Sequence, residues 1–575
     1  MSKHPFSYSK KHLCMTPVSF IKPLVGVAIL LALSFVQYAN AGSPGTSPTA
    51  TFTLEDKTGL PAAHKIYVLG FSASPGFYLN SDGTWLALPE QANGQIPCYE
   101  MGSGTGQINK TVIDSSQTTL SARVYFFVDD QGTYPACNNG QTQASSGSQN
   151  GIFGTTDFSY TWEKNVNGDS VYGVVGITQA SIGAPNAGIP LYAFSEIGPG
   201  PSNGTIDVSQ VDLYSFPVTI DASVTGGPSS IGNTPDTVSF SDNSSYKTFI
   251  EAAAGTGGCT QTPAPSVCAY LDLISPYGSY SALLNPGGFL NSNTSNAQNS
   301  QLTTAFDDIL TTLWATGAPT ITLNNGGIQG GNAPQDTFVG TAQSMTYPCN
   351  STGAGCPTVQ AIKFVGQSSK YVAYVFNPID YASGCAAGTI TACPAGSIAS
   401  SGNQVFSGSG VFGTTANTEY ANLVAIQGTG TNLLPTATTQ YGQATYDSQV
   451  ARLGLILTQA LNHGAFSQCT SPYTWECLNL QSNWYPAQVA GVTQNVFSQF
   501  MHTGTNKNNV ALFLQPPGAV KSANNVTMGM AYGFSNDEQP TPAVSGAPNP
   551  EVPSKMDGTV TYSDSGTYTI TLGPW

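Results

Sequence analysis

The sequence predicts a mainly β protein with a mixed α/β region set into it, and three observations carry that expectation. Gly (63) and Pro (38) are abundant beside 40% hydrophobic residues, with too many aromatic and β-branched side chains for disorder. Short β-branched and aromatic runs separated by turn residues fill the stretch from Thr51 to about Asn243. Helical spacing begins only after that, between about Ser244 and Pro517, and a β pattern returns at the C-terminal end.

In chain order, Lys3, Lys10, Lys11 and Lys22 precede an apolar run from Leu24 to Val36 and then Ala39-Asn40-Ala41. The run is shorter than the ~20 residues a bilayer span needs, and the small-x-small end suits a signal peptidase. Residues 1–41 are therefore expected to be a signal peptide and 42–50 a flexible leader. The protein is expected to be secreted, periplasmic or extracellular, with no membrane association after cleavage. A formal charge of −15 with only 8% charged residues excludes nucleic acid and anionic surfaces, which select dense Lys and Arg. Neutral polymers are the expected partners, and the protein is expected as a monomer.

The cysteines agree with export. Apart from Cys14, ten remain as sequence neighbours: Cys98 with Cys137, Cys259 with Cys268, Cys349 with Cys356, Cys385 with Cys393, and Cys469 with Cys477. An even count in an exported chain points to local disulfides that pin loops. Zinc is the competing reading of close cysteines. However, no CxxC occurs and His64, His463 and His502 lie far apart in sequence, so neither a metal nor a cofactor is expected.

Lys65 to Phe71, Ala122 to Val128, Val171 to Ile177 and Val208 to Ile220 read as strands of an antiparallel barrel or sandwich, and Asn138 to Gly151 as a surface loop. Leu302, Phe306, Ile309, Leu310 and Leu313 predict a helix over Gln301 to Ala315, with Asn299 and Ser300 as caps. Val450, Leu453, Leu457 and Leu461 predict another, ended by Gly464. Tyr246 to Ala254 and Gln494 to Met501 are weaker helices; Ala361 to Val365 and Tyr371 to Phe376 are strands. Val560 to Leu572 alternates around Asp564-Ser-Gly566 and predicts a hairpin that rejoins the first sheet. Gly408 to Gly413 fits GxGxxG, but Thr and Asn follow it rather than a helical pattern, so it is read as chance.

Glu196 and Asp212 stand out because cleaving a sugar acetal needs a carboxylic acid to protonate the leaving oxygen and a second carboxylate across the bond. On one strand from Val208 to Ile220, Asp212, Tyr214, Phe216 and Val218 would share a face. The plain alternative is a strand-edge aspartate above ordinary core rings. Gly198 to Gly204 must turn the chain, and a hairpin there would set the two acids on neighbouring strands. Glu163, near Trp162, is a further acid that could be mistaken for Glu196.

Phe194-Ser-Glu196 through Ser209-Gln-Val-Asp-Leu-Tyr-Ser-Phe-Pro217 resembles the catalytic segment of glycoside hydrolase family 64, the β-1,3-glucanases that release laminaripentaose, including the sixteen-residue step between acids. Lys65 to Gly70, Leu273 to Gly278, Ala305 to Trp314, Val411 to Gly413 and Ala531 to Glu538 are similar to further segments of that family. The resemblance implies a thaumatin-like β domain over 51–243 with 525–575, and a mixed α/β domain over 244–517, flanking a wide groove for glucan. It implies Glu196 as general acid and Asp212 as the base that activates water, with inversion. Tyr192, Tyr214, Phe216, Asp537 and Glu538 are candidates for substrate binding or support. Where the family carries Thr, Asn and Trp after the Glu, this chain has Gly198, Gly200 and Thr205. That departure is the warrant for the alternative, a non-catalytic protein on the same scaffold binding polysaccharide or protein.

Overall fold

The structure is a computed structural model and describes residues 49–573 except 61–62, 74–75, 89–92, 104–107, 115–121, 130–157, 165–169, 176–189, 199–202, 211, 223–229, 233–242, 278–279, 293–294, 325–335, 370, 391–392, 394–399, 414–416, 428–442, 488–492, 506–508, 516–519, 530, 532–558 and 564–566, the turn of the expected C-terminal hairpin. The expected signal peptide, the Asn138 to Gly151 tract, Cys137, Asp537 and Glu538 lie outside the described residues.

The architecture is mainly β with a mixed α/β part. Its largest sheet has the strand order Thr559–Ser563, Asn203–Ser209, Leu191–Gly198, Ala122–Asp129, Lys65–Ala73, Gly76–Leu79, Trp85–Ala87, with Tyr99–Ser103 also on Lys65–Ala73. Every pairing in it is antiparallel. Its central strand, Ala122–Asp129, is buried at every position but Arg123, which explains the near-continuous apolar run in its sequence. Cross-strand rings fill one face: Tyr125 lies opposite Phe194 with centroids 4.9 Å apart, and Phe127 opposite Tyr192 at 5.9 Å. Phe158 closes this aromatic stack edge-on, 4.8 Å from Tyr125.

A five-stranded sheet has the order Ser230–Gly232, Val218–Ala222, Thr567–Leu572, Thr49–Asp56, Ile108–Asp114. The C-terminal strand thus inserts between two earlier ones, parallel to Thr49–Asp56 and antiparallel to Val218–Ala222. This corrects the expected hairpin. Both edges of Thr567–Leu572 are already occupied, so Thr559–Ser563 pairs instead with Asn203–Ser209 in the large sheet.

The helical half surrounds a second five-stranded sheet, Val372–Phe376, Thr358–Gly366, Thr337–Thr346, Ile321–Asn324, Tyr473–Thr474. The longest helix, Gln443–Asn462, contains the expected Val450 to Leu461 repeat and is followed by Gly464 in the left-handed region at φ 70°. The other expected helices form as Ser244–Ala254 and Val496–Thr503. Gln301 to Ala315 does not form one helix. A 3-10 turn, Gln301–Thr304, capped by the Ser300 hydroxyl, precedes the helix Asp307–Trp314. Near the end of the turn the Thr303 carbonyl accepts from the Ser401 hydroxyl at 3.2 Å, a tertiary partner. A helix, Asn417–Gln427, does follow Gly408 to Gly413, but a helix, Ser401–Ser407, also precedes it. A dinucleotide turn needs a strand at that place.

Four disulfides join Cys259 with Cys268, Cys349 with Cys356, Cys385 with Cys393, and Cys469 with Cys477. Cys98 is also disulfide-bonded. Among the described residues, no helix is long and apolar enough to cross a membrane.

Candidate active site

Leu191–Gly198 and Asn203–Ser209 pair antiparallel, as expected. The acid directly opposite Glu196, however, is Asp207. Asp212 lies past the end of that strand, which corrects the expected placement. The continuous strand from Val208 to Ile220 is broken into Asn203–Ser209, Leu213–Tyr214 and Val218–Ala222. Pro217, which has no N–H to donate, stands just before the last piece. Tyr214, Phe216 and Val218 are consequently buried together with their sequence neighbours rather than alternating.

Pairing register sets Phe71, Arg123, Glu196 and Asp207 in one row across four strands, on one face of the sheet. Arg123 Nη2 approaches Glu196 Oε1 at 2.6 Å, with the two side chains 15% and 6% exposed. The contact lacks the alignment of a hydrogen bond. Arg123 also donates to the Tyr125 hydroxyl at 3.4 Å and lies 5.0 Å from the centre of the Phe194 ring, a cation–π contact. Across the row, Asp207 turns its carboxylate back to accept from the Glu196 backbone N–H at 3.4 Å. A cation on one neighbouring strand thereby offsets a like charge on the other.

Two tethers fix the chain on either side of Asp212. The Ser215 hydroxyl donates to the Tyr192 carbonyl, fastening the segment after Asp212 to the strand that carries Glu196. On the other side the Asp212 carbonyl accepts from Asn285 N–H at 3.0 Å, and Asn285 caps the helix Pro286–Asn291 through Gly287 N at 2.8 Å. Leu213 and Tyr214 pair with Leu284 and Leu283 of Tyr280–Leu284, which in turn pairs with Ile274–Tyr277. Asp212 therefore sits at the seam where the large sheet meets the helical half, partly exposed.

The charges are coupled. Burial pushes the Asp212 carboxyl above its ordinary value; Arg123 pulls the other way, and the Glu196 charge adds to the rise. Burial opposes the Arg123 charge, yet Glu196 first, then Tyr125 and Asp212, hold that guanidinium charged more firmly than a free arginine. Tyr125 is pushed well up, chiefly by burial.

Tyr192, Tyr214 and Phe216 are 1%, 3% and 2% exposed, so their rings pack in the interior and offer no face to a sugar. Sequence reasoning passed over Arg123, Tyr125 and Asp207. One signal was available: the chain has two arginines, and Arg123 immediately precedes the apolar run Val124 to Val128, where a charge needs a partner. Among the described residues, no group of three or more His, Cys, Asp or Glu side chains could hold a metal ion.

No family model matches the chain, and no curated protein does. Among solved structures, the chain is similar to a β-1,3-glucanase domain of glycoside hydrolase family 64 from Clostridium beijerinckii, at 13% identity and a TM-score of 0.46, over 93% of this chain and 100% of that one. It is also similar to a laminaripentaose-producing β-1,3-glucanase in complex with laminaritetraose, at 14% identity and a TM-score of 0.47, over 92% and 99%. A third is a family 64 laminaripentaose-producing β-1,3-glucanase from Paenibacillus barengoltzii complexed with laminarihexaose, at 11% identity and a TM-score of 0.37, over 97% and 81%.

Proposed function

We propose that the chain is a secreted glycoside hydrolase that cleaves β-1,3-glucan by inversion, with Glu196 as general acid and Asp212 as base. The observation that carries this reading is the segment from Phe194 to Pro217 that resembles a glucanase catalytic stretch, in which Glu196, 2.6 Å from the Arg123 guanidinium, and Asp212 stand sixteen positions apart. The four disulfides and the acidic balance support an exported protein acting on a neutral polymer.

In this chemistry Glu196 gives its proton to the leaving oxygen while Asp212 takes one from the attacking water. Glycosidic C–O cleavage and C–O bond formation with water balance. The step leaves Glu196 ionised and Asp212 protonated, so the pair carries one proton before and after. A proton on Asp212, which burial favours, matches the second of these states.

A second reading, a polysaccharide-binding protein without activity, is favoured by the burial of Glu196 in its ion pair. Incubating the protein with laminarin and curdlan, beside Glu196→Gln and Asp212→Asn, separates the two. Release of short oligosaccharides by the wild type, lost by at least about a hundredfold in each variant, supports the hydrolase. Retention on curdlan without release supports the binder and rejects the hydrolase.

A further inference from the structure

We propose that Arg123 is a positioning residue that receives the Glu196 carboxylate once its proton has gone to the leaving oxygen. The inference rests on the hydrolase reading and adds a role to a residue outside the acid pair. Arg123 lies opposite Glu196 in the ladder, 2.6 Å from its Oε1, so no chain movement is needed for the two to meet. Its own position is fixed on three sides: by the strand Ala122–Asp129, by the Phe194 ring at 5.0 Å and by the Tyr125 hydroxyl at 3.4 Å. Among the described residues, the other charged or titratable groups that act on it or adjoin Glu196 are Asp212, Tyr125 and, across Glu196, Asp207.

A fixed guanidinium stabilises the carboxylate more than the neutral acid, so its help grows as the proton leaves Glu196. The ion pair in the structure is then the spent arrangement, with Glu196 ionised against Arg123. Before the next bond is cut, Glu196 must regain a proton and loosen this contact. The contact is close but poorly aligned, which suits a partner that has to be released.

This role depends on how much protonation the leaving group needs, whereas a merely structural role does not. The test compares wild type, Arg123→Gln and Arg123→Lys on laminarin and on a 2,4-dinitrophenyl β-laminarioside, whose leaving group departs without a proton. Circular dichroism and thermal melts establish that each variant is folded. Arg123→Gln is expected to lose about a hundredfold in kcat/KM on laminarin and less than about tenfold on the dinitrophenyl substrate. Arg123→Lys, which keeps the charge without the planar fork, should recover part of the laminarin loss. Equal losses on both substrates, or no loss on either, would overturn the inference while leaving the hydrolase reading in place. A wild type that cleaves neither substrate rejects that reading and the Arg123 role with it.

Discussion

Asp56 and Asp212 are two aspartates shifted in opposite directions by their surroundings, and each shift has a measurable consequence. The buried Asp56 carboxylate accepts from Thr58 N–H at 2.9 Å and the Thr58 hydroxyl at 2.7 Å, and lies 2.8 Å from His64 Nε2. Burial would raise its pKa, but His64 and Thr58 together hold it below the ordinary value. Its contribution to stability is therefore present above the unfolded value of about 3.9 and is lost as pH falls through the lower folded value. Asp56→Asn is expected to cost about 1–3 kcal/mol at pH 7, with the difference shrinking in acid; urea unfolding at pH 7 and near pH 2 checks this, and an equal cost at both contradicts it. Asp212 is raised instead. If the acid pair works with one shared proton, kcat/KM on laminarin should be bell-shaped, its alkaline limb set by the pH at which the pair loses that last proton. A pH–rate profile with no alkaline fall would contradict the assignment. Neither aspartate could be ranked from the sequence, because the balance of His64 and Thr58 against burial at Asp56, and of burial and Glu196 against Arg123 at Asp212, is set only by the fold.

Local patterns foretold elements well where one helix or strand buries one face, and poorly where tertiary partners decide. The Val450 to Leu461 repeat formed as read within Gln443–Asn462, because its stripe packs on the core. Within that helix a Cβ on Gly454 would strike the Phe412 carbonyl oxygen and come 2.8 Å from the Phe412 Cα. Gly454→Ala should therefore destabilise by roughly 1–3 kcal/mol from overpacking, against a helix-propensity gain of about 1 kcal/mol. Chemical denaturation measures the net sign, and a stabilised variant would show that the Phe412 turn yields. The hairpin expected over Val560 to Leu572 was misread because alternation does not tell which edges are free. The strand expected over Val208 to Ile220 failed for a related reason: Tyr214 and Phe216 follow the tether from Ser215 to Tyr192 rather than a pleat. Register then selected Asp207, rather than Asp212, as the acid facing Glu196.

At the scale of the whole molecule, β sheets from both ends of the chain bracket a helical half, with Glu196 inside the large sheet and Asp212 where that sheet meets the helical half. The fold class and the local disulfides were legible because composition, periodicity and cysteine spacing act over short distances. The ion pair at the site was not legible, since Arg123 and Glu196 are brought together by strand order. Each of the four short disulfide loops should contribute about 2–3 kcal/mol through the unfolded state; reduction should lower the urea midpoint with no loss of far-UV ellipticity beforehand. An unchanged midpoint would contradict this. The central claim, that Glu196 and Asp212 act as acid and base on a β-glucosidic bond, is tested most directly by following the anomeric protons of freshly released product by NMR. The account predicts that the α-anomer appears first with the wild type and that neither Glu196→Gln nor Asp212→Asn yields product at a comparable rate. First appearance of the β-anomer, or undiminished release by either variant, would contradict it.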